Sequence, residues 1–319
     1  MPRSSQQAHP ALAWVESPLQ LLSAAEWAAR RLADTGQPTR VVYRILDPQV
    51  VATAELLHRM GAPFARFEPY YGIPWTALGT ARHWVLGDPL SGQARAATAV
   101  LPAPRRLSIV DDGAMVVHTV RAILGEVPFG RPGQRESRAK VLLGELAGEK
   151  LRRLASERRL ELFTAFTAAH TPAERLGAAV EVNRFPWLRA AARRGGAPRI
   201  PLPADRIALG TARVVDGLLR PSAHLEWVRA LARAAPLAYL PHRREPVELL
   251  DAVAAIPGVT VVRTGVPVEL VLAAASDPLE VHTLRSSASV TLAAVLAGTG
   301  SVIRSGSPRT AAETQEADA

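Results

Sequence analysis

The chain contains no cysteine and almost no lysine: of its 38 basic residues, only Lys140 and Lys150 are lysines and the other 36 are arginines. Without cysteine, disulfide staples and thiolate-held metals are excluded, so whatever stability the chain has must come from ordinary cores; a reducing compartment fits. Uninterrupted apolar stretches of the roughly 18 residues that a membrane-crossing helix needs are missing too. Residues 1–10 are polar and lack the apolar centre of a secretion signal. These absences predict a soluble, cytoplasmic protein. Several chemistries lack their motifs as well. There is no glycine-rich P-loop, no G-x-G-x-x-G after a strand, no H-E-x-x-H, no G-x-S-x-G, and no Asp-x-Asp of the kind that holds a divalent metal on a nucleotide sugar.

What is present is enough for two cores. The chain has 319 residues, 48% of them hydrophobic, and domains commonly run about 100 to 200 residues. The formal net charge is +9. A charge of that sign raises an anionic partner, but an arginine-for-lysine bias together with abundant alanine is also common in chains from high-GC genomes. Nucleic acid is not expected, because no recognition motif or aromatic-basic interleaving accompanies the charge.

Short apolar runs alternate with helical patterns along the whole chain. Strands are expected over 12–15, 39–46, 83–86 and 106–110, and helices over 18–33, 50–60 and 92–101. Ser17 can cap the first helix and Pro18 suits its first turn. Residues 131–159 carry nine Lys/Arg against four Glu and continue amphipathically through Leu160 and Phe163. That stretch reads as a solvated helix face, with contact to an anionic membrane surface as the alternative. Gly195, Gly196, Pro198, Pro201 and Pro203 then cluster as a linker. The pattern restarts with strands over 206–209, 237–240, 260–262, 280–283 and 300–303 and helices over 223–234, 247–255, 268–274 and 287–296. Domains over 1–200 and 201–309 follow, with a disordered acidic tail over 310–319. The expected fold class is α/β: two doubly wound, Rossmann-like halves facing each other across a cleft, with ligands at the carboxyl ends of the strands.

Four polar islands fall at such ends. Asp111-Asp112-Gly113 offers one carboxylate for a ligand and one for the turn, with a glycine that permits positive φ; it can also be a simple turn, like Val215-Asp216-Gly217. His242, within Pro241-His242-Arg243-Arg244-Glu245, is a histidine among arginines and suits an anion, unless it is an ordinary loop histidine. Ser286 and Ser287 open a helix, where unpaired N–H groups suit a phosphate, although capping alone explains one serine. Glu269 can accept from ribose hydroxyls or serve as a first-turn glutamate favoured by the helix dipole. With the metal motifs absent, a metal-independent phosphate site is the expectation.

In this order and spacing the islands resemble the bacterial GT-B sialyltransferases, including the lipooligosaccharide sialyltransferase and polysialyltransferase families. Those share an acidic pair followed by glycine, a histidine motif and a Ser-Ser or Ser-Thr motif. Here Pro241 precedes His242 and Arg243 follows it, which departs from the usual His-Pro form and is similar to the lipooligosaccharide branch. Glu269 lies 27 residues after His242 and 17 before Ser286. Glu16-Ser17-Pro18-Leu19-Gln20 resembles the first strand and loop of the group, and residues 183–188 resemble a segment before its second domain.

The resemblance implies a glycosyltransferase that needs no metal or cofactor and moves sialic acid, or a related nonulosonic acid, with inversion from its CMP donor to a hydroxyl of a glycan or glycolipid. Asp112 would be the base, with Asp111 as alternate or orienting partner. His242 would protonate or hydrogen-bond the departing phosphate, aided by Ser286, Ser287 and Arg243. Glu269 would hold the ribose, and Ser17, Gln20 and Gly113 would line the site. The first domain would serve the acceptor and the second the CMP donor, with contact to the inner face of an anionic membrane as a further possibility. A GT-B enzyme using another nucleotide sugar, and a non-catalytic nucleotide- or nucleic-acid-binding α/β protein, are the alternatives.

Overall fold

The computed structural model describes residues 11–197 and 200–306 and divides between Gly196 and Ala197 into two compact units. The expectations for residues 1–10 and for the acidic tail lie outside the described residues.

The first unit is built on seven parallel strands, β1 (Ala11–Val15), β2 (Thr39–Arg44), β3 (Phe64–Tyr70), β4 (His83–Leu86), β5 (Arg106–Val110), β6 (Leu160–Thr164) and β7 (Ala179–Val182). They lie in the order β3-β2-β1-β4-β5-β6-β7. The central strands β1 and β4 are buried at every position, as an all-parallel sheet covered on both faces requires. β3 and β7, at the edges, carry exposed residues.

The chain runs from β1 outward to β2 on one side and from β4 outward to β5 on the other, so the order reverses between β1 and β4. The crevice at that switch point is where ligands bind in open α/β sheets. Ser17 caps the helix Pro18–Thr35, its Oγ accepting from Gln20 N–H at 3.3 Å, and Gly36 ends the helix at φ 68°. From the middle of this helix Glu26 accepts the N–H groups of Trp187 (3.0 Å) and Leu188 (2.7 Å). A buried carboxylate thereby caps the distant helix Pro186–Arg193, whose entry Phe185 sits at φ 50°. Burial pushes the Glu26 carboxyl up to about 7, against the pull of those two amides.

The second unit has five parallel strands, β8 (Arg206–Leu209), β9 (Leu237–Leu240), β10 (Val259–Val261), β11 (Glu280–Leu284) and β12 (Val302–Gly306), in the order β10-β9-β8-β11-β12. One side of its core gathers Ala208, Val228, Leu237, Tyr239, Leu250, Val253 and Ile256. Both units are thus Rossmann-like and doubly wound. Among the described residues no helix is long and apolar enough to cross a membrane.

The basic stretch departs from expectation. Its helix, Arg138–Ser156, does not run on through Leu160 and Phe163, which belong to β6. Arg158 turns left-handed at φ 56°, Arg158 and Arg159 donate back to the carbonyls of Ala155 and Leu154, and Leu160 then pairs with Leu107 of β5. Leu160-Glu161-Leu162 alternates as a strand needs, and the reversal at Arg158 allows it to do so. Arg131 lies in the loop before this helix, where its partly exposed side chain pairs with Asp88. At the far end of the chain, β12 begins at Val302 rather than residue 300, because Gly300 takes φ 81° in the preceding turn.

Candidate functional site

In the first unit the carboxyl ends of β1, β4 and β5 bring together residues that are far apart in sequence. Asp111 and Asp112 leave β5 in opposite directions, as pleating dictates. Asp111 is wholly buried; its carboxylate takes the Thr164 hydroxyl and the Ala165 N–H (2.8 Å), tying β5 to the end of β6. Burial raises its carboxyl to about 7. Asp112 turns the other way and is half-buried. It accepts from Ser17 Oγ at 3.1 Å and from the Gln20 side chain. Its carboxyl lies above the ordinary range, first because of burial and then because of neighbouring Asp88, with Gln20, Ser17 and Arg131 pulling back. Gly113 takes the left-handed φ of 67° that turns the chain away.

Gln20 is locked from the other side, since its Oε1 accepts Glu16 N–H at 2.7 Å. Gly87, after β4, makes room for it: a Cβ there would lie 2.2 Å from that oxygen. Around this core stand three further residues. Glu16 accepts from Ser91 Oγ at 3.2 Å and faces Arg44 at 3.8 Å. Asp88 accepts Leu90 N–H at 2.9 Å and pairs with Arg131. Arg131 is the counter-charge for a group of three carboxylates, Glu16, Asp88 and Asp112. A strand ending in Gly87-Asp88 was a usable signal for Asp88. Arg131 comes from a loop 43 residues downstream and has no local signature.

In the second unit, β8, β9 and β11 end at Gly210, Pro241 and Arg285. His242 is half-buried, and its Nδ1 accepts Arg244 N–H at 3.2 Å, so the neutral ring carries its proton on Nε2. Burial, then Arg244 and Arg243, push the imidazole down to about 4, with Asp216 opposing. The ring is therefore a neutral donor at physiological pH. Arg243 is exposed beside it, while Arg244 is held by Asp216 through two contacts of 2.8 and 2.9 Å.

The turn itself is built on Glu245. This buried carboxylate accepts Tyr239 O–H (2.7 Å), Thr211 N–H (2.9 Å) and His242 N–H (3.0 Å). Its sequence setting, three residues after the histidine, gave no hint that it anchors the whole turn. Gly210 again leaves the space, since a Cβ there would meet Glu245 Oε2 at 2.3 Å and His242 N at 2.4 Å.

Ser286 and Ser287 are half-buried, and neither caps in the ordinary way. Ser287 precedes the helix Ala288–Val295 in a helical conformation without a side-chain cap bond, and Ser286 Oγ meets Thr283 Oγ1 at 3.1 Å. At the strand ends β8 lies between the histidine and serine islands, a separation of two strand spacings, or about 10 Å. Glu269 opens the helix Val268–Leu272, but its side chain is buried and accepts Thr291 Oγ1 at 2.6 Å. The contact ties it to the helix that follows the serines. Burial raises its carboxyl above the usual range.

Other polar clusters look structural. His83, Ser108, Glu161 and Trp27 form a buried network under the first helix, with His83 Nε2 and Ser108 Oγ at 2.9 Å and Trp27 Nε1 donating to Glu161 at 2.9 Å. A cavity of about 340 Å³ lined by Pro201, Asp205, Val271 and Leu279 lies at the amino-terminal edge of the second sheet, away from both islands.

Two Rossmann-like units of parallel strands, each with its polar residues at the carboxyl edge, define a fold of the GT-B type. A solved structure with this fold is that of a protein described as a candidate UDP-N-acetylglucosamine 2-epimerase from Listeria monocytogenes. It superposes with a TM-score of 0.52 at 12% identity over 87% of this chain and 74% of that one. The likeness is one of fold. No family model matches the chain, and no curated protein matches its sequence.

Proposed function

We propose that the protein is an inverting, metal-independent glycosyltransferase that moves sialic acid or a related nonulosonic acid from its CMP donor to a sugar hydroxyl. The observation that carries the reading is Asp112. It is a carboxylate after β5, one strand from the switch point, bonded to the loop that follows β1 through Ser17 and Gln20, raised above the ordinary carboxyl range, and distinct from the wholly buried Asp111 beside it. That division supports Asp112 as the base and Asp111 as the anchor of its turn.

In the reaction the acceptor O–H gives its proton to Asp112 and its oxygen bonds the anomeric carbon. The bond from that carbon to the phosphate oxygen breaks, and CMP leaves with the electron pair. His242, with its proton on Nε2, donates a hydrogen bond to the departing phosphate. The neutral ring keeps that proton, so CMP leaves as the phosphate anion with this hydrogen bond on its oxygen. Ser286, Ser287 and Arg243 add donors and positive charge to the developing anion. Glu269 serves the ribose side, positioned through Thr291. The acceptor is a glycan or glycolipid, and the arginine-rich surface favours donors that carry both phosphate and carboxylate.

The fold neighbour favours a second reading, a GT-B enzyme acting on another sugar nucleotide, because that protein is named for a UDP-sugar substrate. A thermal-shift screen against CMP, UDP, GDP and ADP, followed by a CMP-release assay with CMP-sialic acid, separates the two. A ligand at 100 times its Kd adds about 2.7 kcal/mol. Stabilisation by CMP alone, with acceptor-dependent CMP release, is the expected result; stabilisation by UDP alone, or an absolute requirement for Mg²⁺ or Mn²⁺, rejects the first reading.

A further inference from the structure

The exposed aromatic residues of the described chain are confined to one place. Tyr71 is 74% exposed, Trp75 42% and Tyr70 36%, and no other tyrosine, tryptophan or phenylalanine among the described residues is comparably open. All three fall within six residues: Tyr70 ends β3, Tyr71 begins the turn after it, and Trp75 opens the helix Trp75–Thr80. Beside them Ile45 and Leu46, just past the end of β2, are also exposed, and Ile45 N–H donates to the Tyr70 carbonyl at 3.3 Å. In a chain with 5% aromatic residues, an apolar cluster of this kind at the carboxyl edge of a sheet marks a contact surface.

The surface is firmly mounted. Arg40 holds Glu68 across β2 and β3 with two contacts of 2.8 and 2.9 Å, and Asp47 caps the helix Pro48–Arg59 immediately after Leu46. It is also continuous with the site. Arg44 ends β2 and faces Glu16, whose N–H binds Gln20, and Gln20 bonds Asp112. From β3 to β5 the sheet passes through β2, β1 and β4, four strand spacings or about 19 Å. That distance exceeds a mono- or disaccharide and matches a longer chain of sugar rings.

We infer that Tyr70, Tyr71 and Trp75 form a stacking platform for the distal rings of an extended oligosaccharide acceptor whose terminal hydroxyl reaches Asp112. The inference rests on the glycosyltransferase reading for the identity of the Asp112 end. Flat aromatic faces complement the apolar C–H faces of pyranose rings, and the tyrosine O–H and tryptophan N–H groups can pair with ring hydroxyls at the rim. The charges beside the platform balance, with Arg44 facing Glu16, Arg40 and Arg66 flanking Glu68, and Asp47 supplying a third carboxylate. A surface without cationic surplus suits a glycan rather than an anionic bilayer.

The test measures direct binding and transfer separately, on the full chain. Binding of methyl β-galactoside, lactose and lacto-N-neotetraose is followed by saturation-transfer NMR and titration, and transfer by CMP release from CMP-sialic acid. The wild type is expected to bind the tetrasaccharide at least about 10-fold more tightly than the monosaccharide, a difference of about 1.4 kcal/mol. Tyr71→Ala/Trp75→Ala is expected to erase that length dependence without altering CMP-induced thermal stabilisation, and Tyr71→Trp to preserve it. Equal binding of short and long glycans, length dependence that survives in the double variant, or flotation with phosphatidylglycerol vesicles that depends on Tyr71 and Trp75 would each overturn the platform. Loss of CMP release with length-dependent binding intact would reject the donor assignment and leave the platform standing.

Discussion

Glu245→Gln changes one buried oxygen to an amide nitrogen and should loosen the second sheet where His242 is mounted. The carboxylate serves three donors, Thr211 N–H and Tyr239 O–H on Oε1 and His242 N–H on Oε2. Glutamine offers a single acceptor oxygen. The better orientation keeps that oxygen toward Thr211 and Tyr239, which sets the NH₂ against the His242 N–H. One donor then faces another donor, a mismatch of about 1–3 kcal/mol, and the two remaining bonds lose the assistance of the charge. A total near 3 kcal/mol corresponds to about a 10²-fold change in local opening. Hydrogen exchange read by mass spectrometry should show faster exchange of that order at Ala208 and Tyr239, with Val41 and Val85 of the first sheet unchanged. His242 should also lose its fixed tautomer, visible as a changed imidazole nitrogen shift. Unaltered exchange in the second sheet would refute the assignment of Glu245 as the anchor of this turn.

Asp112→Asn is expected to lower CMP release by about 10² to 10⁴-fold while leaving thermal stability near that of the wild type, the loss typical of a general base. If Asp112 is the base, its raised carboxyl must be ionised to act, and the acidic limb of the wild-type rate profile should lie above the ordinary carboxylate range. Glu26→Gln should flatten the pH dependence of unfolding. The folded carboxyl sits near 7, above its unfolded value, so its stabilising contribution is complete below about 4.5 and disappears as pH rises through 7, amounting to about 3 kcal/mol. Asp111, raised in the same direction, leaves a residual slope in that variant. Gly87→Ala should cost about 1–3 kcal/mol by overpacking, read in thermal unfolding, and should reduce turnover because Gln20 is driven off Asp112.

Most of the strands were legible because parallel strands buried on both faces read as apolar runs, as in residues 106–110 and 237–240. The edge strands of the first sheet were not. Phe64–Tyr70 and Ala179–Val182 mix charged and apolar residues, so neither gives a clean period, and both are recruited by pairing with β2 and β6. The helix Met115–Leu124 follows the acidic pair without a capping side chain, which removed its start signal. In the site, the different settings of Asp111 and Asp112 follow from alternation alone, which is local. What could not be read are the partners that define each residue. Arg131 reaches Asp88 from a distant loop, Glu245 gathers donors from two strand ends, and Thr291 draws Glu269 inward. Such contacts belong to the tertiary structure, and no spacing rule encodes them.

Gly87 with Gln20, and Gly210 with Glu245, are two instances of one device: a strand ends in a residue with no side chain, and the vacated volume is filled by a polar group that orients the neighbouring site. The arrangement makes the two members of each pair interdependent in evolution. Enlarging the glycine alone collides with its partner, and shortening the partner alone leaves a hole and unpaired donors, so each single step should destabilise the unit although a joint change need not. Each unit therefore carries a small epistatic lock beside its site. Among relatives of this chain the loops around these pairs should vary while the pairs themselves persist or change together.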